Sequence, residues 1–403
     1  MAGAMSRPVL FLDVSRLARR YEHFGGPTGI DRVELRYAQW LLVQDRFEPR
    51  PVVQAQRGLV ELRKAAFAQL LGTLMERWSS AAPPQIGRNG RSAIAYRMAG
   101  LAGAARRMAL LAGARPLDPG GAANVTLSVG HDGLDVAERF ARLPGPLAVL
   151  LSDLIPLTCP EFVTPRETML HRRRLETLKA HAAHVFTISE ATREEVLRHV
   201  PAPRFGLSLL HLGPGLSPPP APARFDRPTF VHISSLERRK NVAFLLHLWR
   251  ELAAEADPPA LVLIGRRGND VTALELLERC EAIRPHVRAE GSIGDVAVAE
   301  QLAGARALLS PSFAEGFGLP LAEARLLGVP AVASDIPAHR EVGGGSTLYL
   351  PPLDGPGWRG AILSLARDDR MRAALVARIT PPFSWEDHFD AATEVLLAVA
   401  AKG

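Results

Sequence analysis

Pro311-Ser312-Phe313-Ala314-Glu315-Gly316-Phe317-Gly318-Leu319-Pro320-Leu321-Ala322-Glu323 is the stretch from which the fold is read. It follows the short apolar run Ala307 to Leu309 and leads into residues of helical period near Leu321 to Leu327, so it is the turn between a buried strand and a helix. Gly316 and Gly318 permit a tight turn and close backbone approach, and Pro320 suits a first helical turn. The N–H groups exposed from Gly316 through Phe317, Gly318 and Leu319 then form an anion site suited to a diphosphate. Glu315, ahead of the helix, is placed to reach sugar hydroxyls, and Glu323, in its early turns, to accept both hydroxyls of a ribose. The alternative is a pair of solvated carboxylates beside an ordinary turn. One ligand accounts for the turn, the helix start and both acids together.

Outward from this stretch the same alternation repeats. Strands are expected at Thr229 to Ile233, Ala260 to Ile264, His286 to Ala289 and Ala331 to Ala333, with helices at Val242 to Ala254, Thr272 to Ile283 and Val296 to Ala303. That is a complete Rossmann-like α/β domain. Before it, Gly213-Pro214-Gly215-Leu216-Ser217-Pro218-Pro219-Pro220-Ala221-Pro222 can neither continue a helix nor sit inside a sheet, and reads as a linker. The first half offers a second series: strands Val9 to Asp13, Pro51 to Gln54, Val125 to Val129, Ala148 to Leu151 and His184 to Ile188, a helix Ile30 to Val43, and a capping box of Thr192 with Glu195 after the last strand. The chain has 403 residues, more than the roughly 250 to 300 at which one core stops growing, so two domains are expected. Their bounds are 1–222, carrying a basic helical insertion at about 58–120, and 223–385, followed by a terminal helix 386–403.

Apolar residues at 47% and charged residues at 22% exclude a largely disordered or fibrous chain. The net charge of +6, almost all of the basic part Arg, favours anionic partners. Cys159 and Cys280 fall in different expected domains, which leaves no disulfide framework or cysteine-rich metal site. No apolar run reaches the ~18 residues of a membrane span. The expected location is therefore cytoplasmic, with any membrane contact peripheral on the inner membrane. In the insertion, Arg88, Arg91, Arg97, Arg106, Arg107 and Arg115 are interspersed with apolar residues. They read either as an amphipathic face for an anionic membrane or, the favoured reading, as a solvated helix pair packed on its own domain.

Glu315 and Glu323 resemble the E-x7-E motif of the large family 4 type of retaining glycosyltransferases, the glycosyl transferases group 1, which includes bacterial mannosyltransferases. Ser234-Ser235-Leu236-Glu237-Arg238-Arg239-Lys240-Asn241, Leu263-Ile264-Gly265-Arg266-Arg267-Gly268, Gly291 to Asp295 and Gly328 to Asp335 leading to Glu341-Val342-Gly343 resemble that family's donor domain in order. The resemblance implies a GT-B fold, two Rossmann-like domains facing each other across a cleft, with Phe383-Ser384-Trp385 opening a helix that crosses back to the first domain. It also implies that Lys240 holds the donor diphosphate. The family arginine five residues before the lysine falls on Ser235, a departure that Arg239 or Arg266 is expected to compensate. Fixed cations aimed at the departing phosphate lower the barrier to breaking the sugar–phosphate bond.

The first half resembles the family's acceptor domain less closely. Gly25-Gly26-Pro27-Thr28-Gly29-Ile30-Asp31-Arg32 is similar to the glycine-rich loop that approaches the transferred sugar, so Gly26, Gly29 and Arg32 are candidates. Ser128 to Leu134 and Leu151 to Leu157 resemble two acceptor-domain loops, giving His131 and Asp153 as candidates. The His that relatives often carry immediately before this Asp is Ser152 here. With no Asp-x-Asp motif, no metal and no cofactor are expected. Glu315 is expected to position the sugar rather than to form a covalent adduct.

The expected partners are a nucleotide-sugar donor, GDP-mannose first, and a glycan or lipid-linked acceptor in bacterial surface polysaccharide synthesis. A dinucleotide oxidoreductase is excluded because no G-x-G-x-x-G directly follows a strand with an acid ~20 positions on. Nucleic acid is not an expected partner, since no recognition motif accompanies the charge. The substitutions at Ser235 and Ser152 leave one alternative, a non-catalytic sugar-nucleotide-binding scaffold of an assembly complex.

Overall fold

The computed structural model describes residues 7–22, 27–55, 58–79, 103–118, 123–140 and 143–402. The chain divides into two compact units. One holds Met1–Trp78, Pro83–Leu212 and Trp385–Gly403; the other is built on Gly213–Ser384.

The first unit is organised by an eight-stranded sheet of β1 (Val9–Asp13), β2 (Glu48–Ala55), β3 (Gly58–Glu61), β4 (Arg115–Pro116), β5 (Asn124–Val129), β6 (Leu147–Leu151), β7 (Ala182–Thr187) and β8 (Gly206–Leu209). Their order is β4-β3-β2-β1-β5-β6-β7-β8. From β2 to β8 neighbouring strands run parallel, which is why β1 and β6 are continuous apolar runs buried on both faces. The helices are α1 (Ser15–Glu22), α2 (Gly29–Val43), α3 (Lys64–Ser79), α4 (103–111), α5 (Ile155–Thr158), α6 (Pro165–His181) and α7 (Glu190–His199).

Two local expectations are corrected. The segment 58–120 is not helical throughout: β3 pairs antiparallel with β2 and β4 with β3, so a hairpin and a return strand extend the sheet. Gly58, at φ +122°, supplies the turn conformation that an L side chain resists. Within the same segment α3 buries Phe67, Leu70, Leu71, Leu74 and Trp78, so its apolar face packs on its own unit. Arg88, Arg91 and Arg97 lie outside the described residues. The second correction concerns α7, which is capped by Ser189 and not by a Thr192–Glu195 box. The Ser189 hydroxyl accepts from Thr192 N at 3.0 Å, one turn earlier than the box spacing suggested.

The second unit carries a six-stranded sheet of β9 (Thr229–Ile233), β10 (Ala260–Ile264), β11 (Val287–Gly291), β12 (Leu308–Ser310), β13 (Ala331–Ser334) and β14 (Thr347–Leu350). It is parallel throughout, in the order β11-β10-β9-β12-β13-β14. This is the doubly wound order, in which the chain leaves β9 toward one edge and returns at β12 toward the other. Helices α8 (Val242–Leu252), α9 (Val271–Arg279), α10 (Asp295–Ala303), α11 (Leu319–Leu326), α12 (Pro337–Gly343), α13 (Gly355–Arg367) and α14 (Asp369–Val376) cover it. Trp249 and Trp358 are fully buried in its core, and each satisfies its indole N–H on a backbone carbonyl, Pro259 O and Pro351 O, both at 3.0 Å. The proline-rich segment before β9 forms no helix or strand, and Ala223 N just beyond it donates to Glu300 O of α10 at 2.8 Å.

The last helix, α15 (Trp385–Ala400), belongs to the first unit. Phe389 stacks on Trp40 of α2 with ring centroids 5.0 Å apart. His388 is buried beside them; its Nδ1 meets His211 O at 2.9 Å and its Nε2 meets the Tyr37 hydroxyl at 2.8 Å. A carbonyl only accepts, so Nδ1 carries the proton and Nε2 accepts from Tyr37. Burial pushes the His388 imidazole down to about 4. A neutral buried histidine stabilises the fold fully above its ordinary value of 6.5 and loses that contribution as protons bind the unfolded chain between 6.5 and about 4. Stability of the first unit should therefore fall by up to ~3 kcal/mol across that window, at ~1.36 kcal/mol per pH unit. Thermal unfolding of His388→Gln against the unsubstituted chain checks this: the variant should start less stable and show a flatter acid limb.

Candidate active site at the sheet switch points

In the second sheet the loops following β9 and β12 leave neighbouring strands in opposite directions, which opens a crevice at their carboxyl ends. The first loop is Ser234 to Asn241. Its path is fixed from below by Gly265, at φ +147°, where a Cβ would lie 1.9 Å from Ser234 O. At its end Asn241 takes the left-handed conformation, φ 57°, and its side-chain amide donates to Pro311 O at 3.2 Å and to Pro352 O at 2.9 Å. Phe313 N donates to Arg239 O at 2.8 Å. The loop after β9 is thus tied to the loop after β12.

That tie brings charges together. Glu315 Oε1 takes Lys240 Nζ at 2.5 Å and the Ser312 hydroxyl at 2.7 Å, and its Oε2 takes Arg239 Nη1 at 3.0 Å. Arg239 also donates to Ala314 O at 3.2 Å and, through Nε, to Glu237 Oε2 at 3.1 Å. Glu237 in turn accepts from the Ser235 hydroxyl at 2.5 Å. Ser235 therefore stays within the cluster as the anchor of the carboxylate that orients Arg239. The Lys240 and Glu315 side chains are only 12% and 10% exposed. Burial alone would raise the Glu315 carboxyl, but Lys240 and Arg239 outweigh it and hold the group well below the usual carboxylate range. Burial, with Arg239 alongside, lowers the Lys240 ammonium in spite of Glu315. Two cations, Lys240 and Arg239, thus meet two carboxylates, Glu315 and Glu237, with Glu315 shared between both cations.

Beside the cluster, α11 begins. Gly318 caps it at φ +103°, and a Cβ there would come within 3.3 Å of the His339 ring. His339 is buried, with Nδ1 on Ser334 O at 3.0 Å and Nε2 on the Ser310 hydroxyl at 3.3 Å. Gly316 precedes the cap, Phe317 is buried, Leu319 opens the helix, and Glu323 is 2% exposed within it. Arg266, by contrast, is exposed in the next loop, and its backbone carbonyl accepts from Leu236 N at 3.0 Å.

The first unit has its own switch point between β1 and β5. Asp13, at the end of β1, is buried and accepts from Ser15 N at 3.0 Å. Asp31 in the first turn of α2 is fully buried, accepts from Thr28 N and the Thr28 hydroxyl at 2.8 and 2.7 Å, and is paired with Arg16 at 2.6 Å and Arg20 at 2.8 Å. Burial alone would raise its carboxyl, but the two guanidiniums lower it. Asp132, after β5, pairs with Arg19. Among the expected residues, Gly29 opens α2, Arg32 lies in its first turn, and Gly26 lies outside the described residues. His131 accepts from Ser152 N at 3.3 Å and packs edge to face on His171, ring centroids 4.8 Å apart; burial holds it well below its ordinary value and so neutral. Asp153, just ahead of α5, accepts from Ile155 N at 3.1 Å. Arg16, Arg20, Asp31, Ser312, Glu237 and Asn241 went unnoticed as contributors. A Thr28-x-x-Asp31 spacing and an acid two residues from both Ser235 and Arg239 were the available signals.

Residues 227–368, which contain the whole Lys240–Glu315 cluster, match the glycosyl transferases group 1 model. This segment belongs to that family. O-antigen chain mannosyltransferase B of Escherichia coli is 30% identical over 251 residues, covering 58% of this chain and 66% of that protein. A phosphatidyl-myo-inositol mannosyltransferase of Mycolicibacterium smegmatis is 31% identical over 179 residues, covering 44% and 40%. The chain thus spans from about two fifths to just under two thirds of the length of these curated relatives. HepE of Anabaena, solved with UDP and glucose, matches over 98% of both chains with a TM-score of 0.59 at 17% identity. Sucrose-phosphate synthase of Thermosynechococcus elongatus matches over 98% of this chain and all of its own (100%), with a TM-score of 0.57 at 16% identity. The fold is the GT-B fold of these two structures.

In this group 1 domain the carboxylate carries more of the cluster than either cation. Glu315→Leu leaves Lys240 and Arg239 facing each other and should cost about 3 to 5 kcal/mol, whereas Lys240→Met leaves Arg239 on the carboxylate and should cost less. A depressed carboxyl contributes stability that is full above its ordinary value of 4.5 and lost as the pH falls toward its folded value. Urea unfolding of the two variants between pH 7 and pH 3 should show the Glu315→Leu penalty shrinking in acid; a penalty independent of pH contradicts the ion-pair account.

Proposed function

We propose that this chain is a glycosyltransferase of polysaccharide or glycolipid synthesis. In this reading it moves a sugar, mannose from GDP-mannose first, to a glycan or lipid-linked acceptor, with retention and without a metal ion. The observation that carries the reading is the shared ion cluster: Lys240 and Arg239 converge on one carboxylate beside the N-terminus of a helix, inside a domain of the group 1 family. The names of the relatives, mannosyltransferases of O-antigen chains and of phosphatidyl-myo-inositol, support mannose and both acceptor classes. HepE was solved with UDP, which keeps the donor base a matter for experiment.

The chemistry follows from the charges. Breaking the bond from the sugar C1 to phosphate oxygen moves an electron pair onto the departing nucleoside diphosphate. Lys240 and Arg239 are the fixed cations that neutralise it, and the N–H groups opening α11 add to them. The acceptor hydroxyl attacks C1 on the face the phosphate leaves, and its proton passes to that phosphate oxygen. Glu315 is a poor covalent nucleophile, because both its oxygens are held by cations and Ser312. Its place beside the cations suits a hydrogen bond to the sugar. Metal independence rests on those same cations supplying the charge a metal would. Among the described residues no helix is long and apolar enough to cross a membrane, and the proposed site of action is the cytoplasmic side, with peripheral contact at most.

A thermal-shift and hydrolysis screen against GDP-, UDP-, dTDP- and ADP-sugars, with and without EDTA, tests the proposal. One donor should stabilise the chain and be slowly hydrolysed regardless of EDTA, with both effects lost in Lys240→Ala and the hydrolysis alone lost in Glu315→Ala. Binding without any turnover, even with acceptors supplied, would favour a scaffold; no binding at all would remove the reading.

A further inference from the structure

A cavity of about 240 Å³ lies within the first unit, between α1, the end of β2 and α4. Its wall is partly aliphatic, from Ala18, Val53 and Leu110. Its charge comes from three guanidiniums, Arg19, Arg107 and Arg139, and no carboxylate is among the described residues that line it. The neutral polar groups are already engaged. Gln54 donates to Asp13 Oδ2 at 3.3 Å and to Asp132 O at 3.0 Å, and accepts from Arg139 at 2.9 Å. The Ser15 hydroxyl is held by Asp13 and accepts from Gln54 N at 2.8 Å. Arg19 is paired with Asp132, which lies outside the lining.

We infer that this cavity takes an acidic sugar, one whose ring rests on the aliphatic wall while a carboxylate or phosphate lies in the arginine forks. The inference deepens the glycosyltransferase reading by naming the acceptor class, and it rests on that reading. On that reading the ligand is a sugar, and the arginines in the lining select an anionic one. The shared recognition chemistry is an oxyanion on a hexose; a uronic acid and a sugar phosphate are its two sources. One wall of the site comes from the segment between β3 and β4, where α4 brings Arg107 and Leu110.

The test measures binding of methyl glucuronide, mannose 6-phosphate and neutral methyl mannoside to the full chain by calorimetry, with no donor present. At least one charged sugar should bind ten-fold or more tightly than the neutral one, and which does so identifies carboxylate or phosphate. The preference should vanish in Arg107→Gln/Arg139→Gln and also in Arg139→Glu alone, an exposed position where folding is not at stake. Equal binding of charged and neutral sugars, or a charge preference that survives both variants, overturns the inference. Sugar-nucleotide binding is read separately: its absence with the charge preference intact removes the glycosyltransferase reading and leaves the cavity, and the reverse removes the cavity alone.

Discussion

Burying Lys240, Arg239 and Glu315 at the end of two adjacent parallel strands is the constraint on which the second unit turns. Unpaired charges in such a place would be prohibitively costly, so the loops after β9 and β12 must present opposite signs to each other at hydrogen-bond distance. Asn241 in its left-handed conformation, Gly265 beneath Ser234 and the Phe313–Arg239 backbone bond all serve that registration. The doubly wound order supplies the space, because only between β9 and β12 do successive loops part. Fold and charge are linked at this point: the parts that make the sheet foldable also hold Lys240 and Arg239 on Glu315.

The first unit repeats the device, one buried carboxylate between two cations. Asp31, fully buried, takes Arg16 and Arg20 together, and Asp132 takes Arg19 across the gap between the ends of β1 and β5. These pairs fix α1 and α2 over the sheet and leave guanidinium groups at its carboxyl edge. The C-terminal helix closes the same unit through Trp40, Tyr37 and His388, so residues some 350 positions apart in the chain share one core.

Much of this was legible in the sequence because buried parallel strands must be apolar runs. Val9–Asp13, Thr229–Ile233 and Ala260–Ile264 were read with the bounds they have. The turn at Gly316–Gly318 was legible for the same kind of reason, since few residue types tolerate its backbone. The antiparallel extension by β3 and β4 was not, because two- and four-residue strands carry too little alternation to stand out from a basic segment. Nor was the capping by Ser189, where three hydroxyl or acidic residues compete within one turn. In the site, Glu315 and Lys240 stood out by type and position. That they bind each other, and that Ser235 acts through Glu237, depends on side-chain directions that spacing does not encode.

The central claim is that Lys240 and Arg239 are held by Glu315 in the place a diphosphate takes. Calorimetric affinity for GDP and UDP in the unsubstituted chain, Glu315→Gln and Lys240→Met addresses it most directly. The account predicts that the preferred diphosphate binds more tightly to Glu315→Gln than to the unsubstituted chain, because the competing carboxylate charge is gone, and at least ten-fold more weakly to Lys240→Met. Loss of binding in Glu315→Gln to the same extent as in Lys240→Met, or unchanged binding in Lys240→Met, would contradict it.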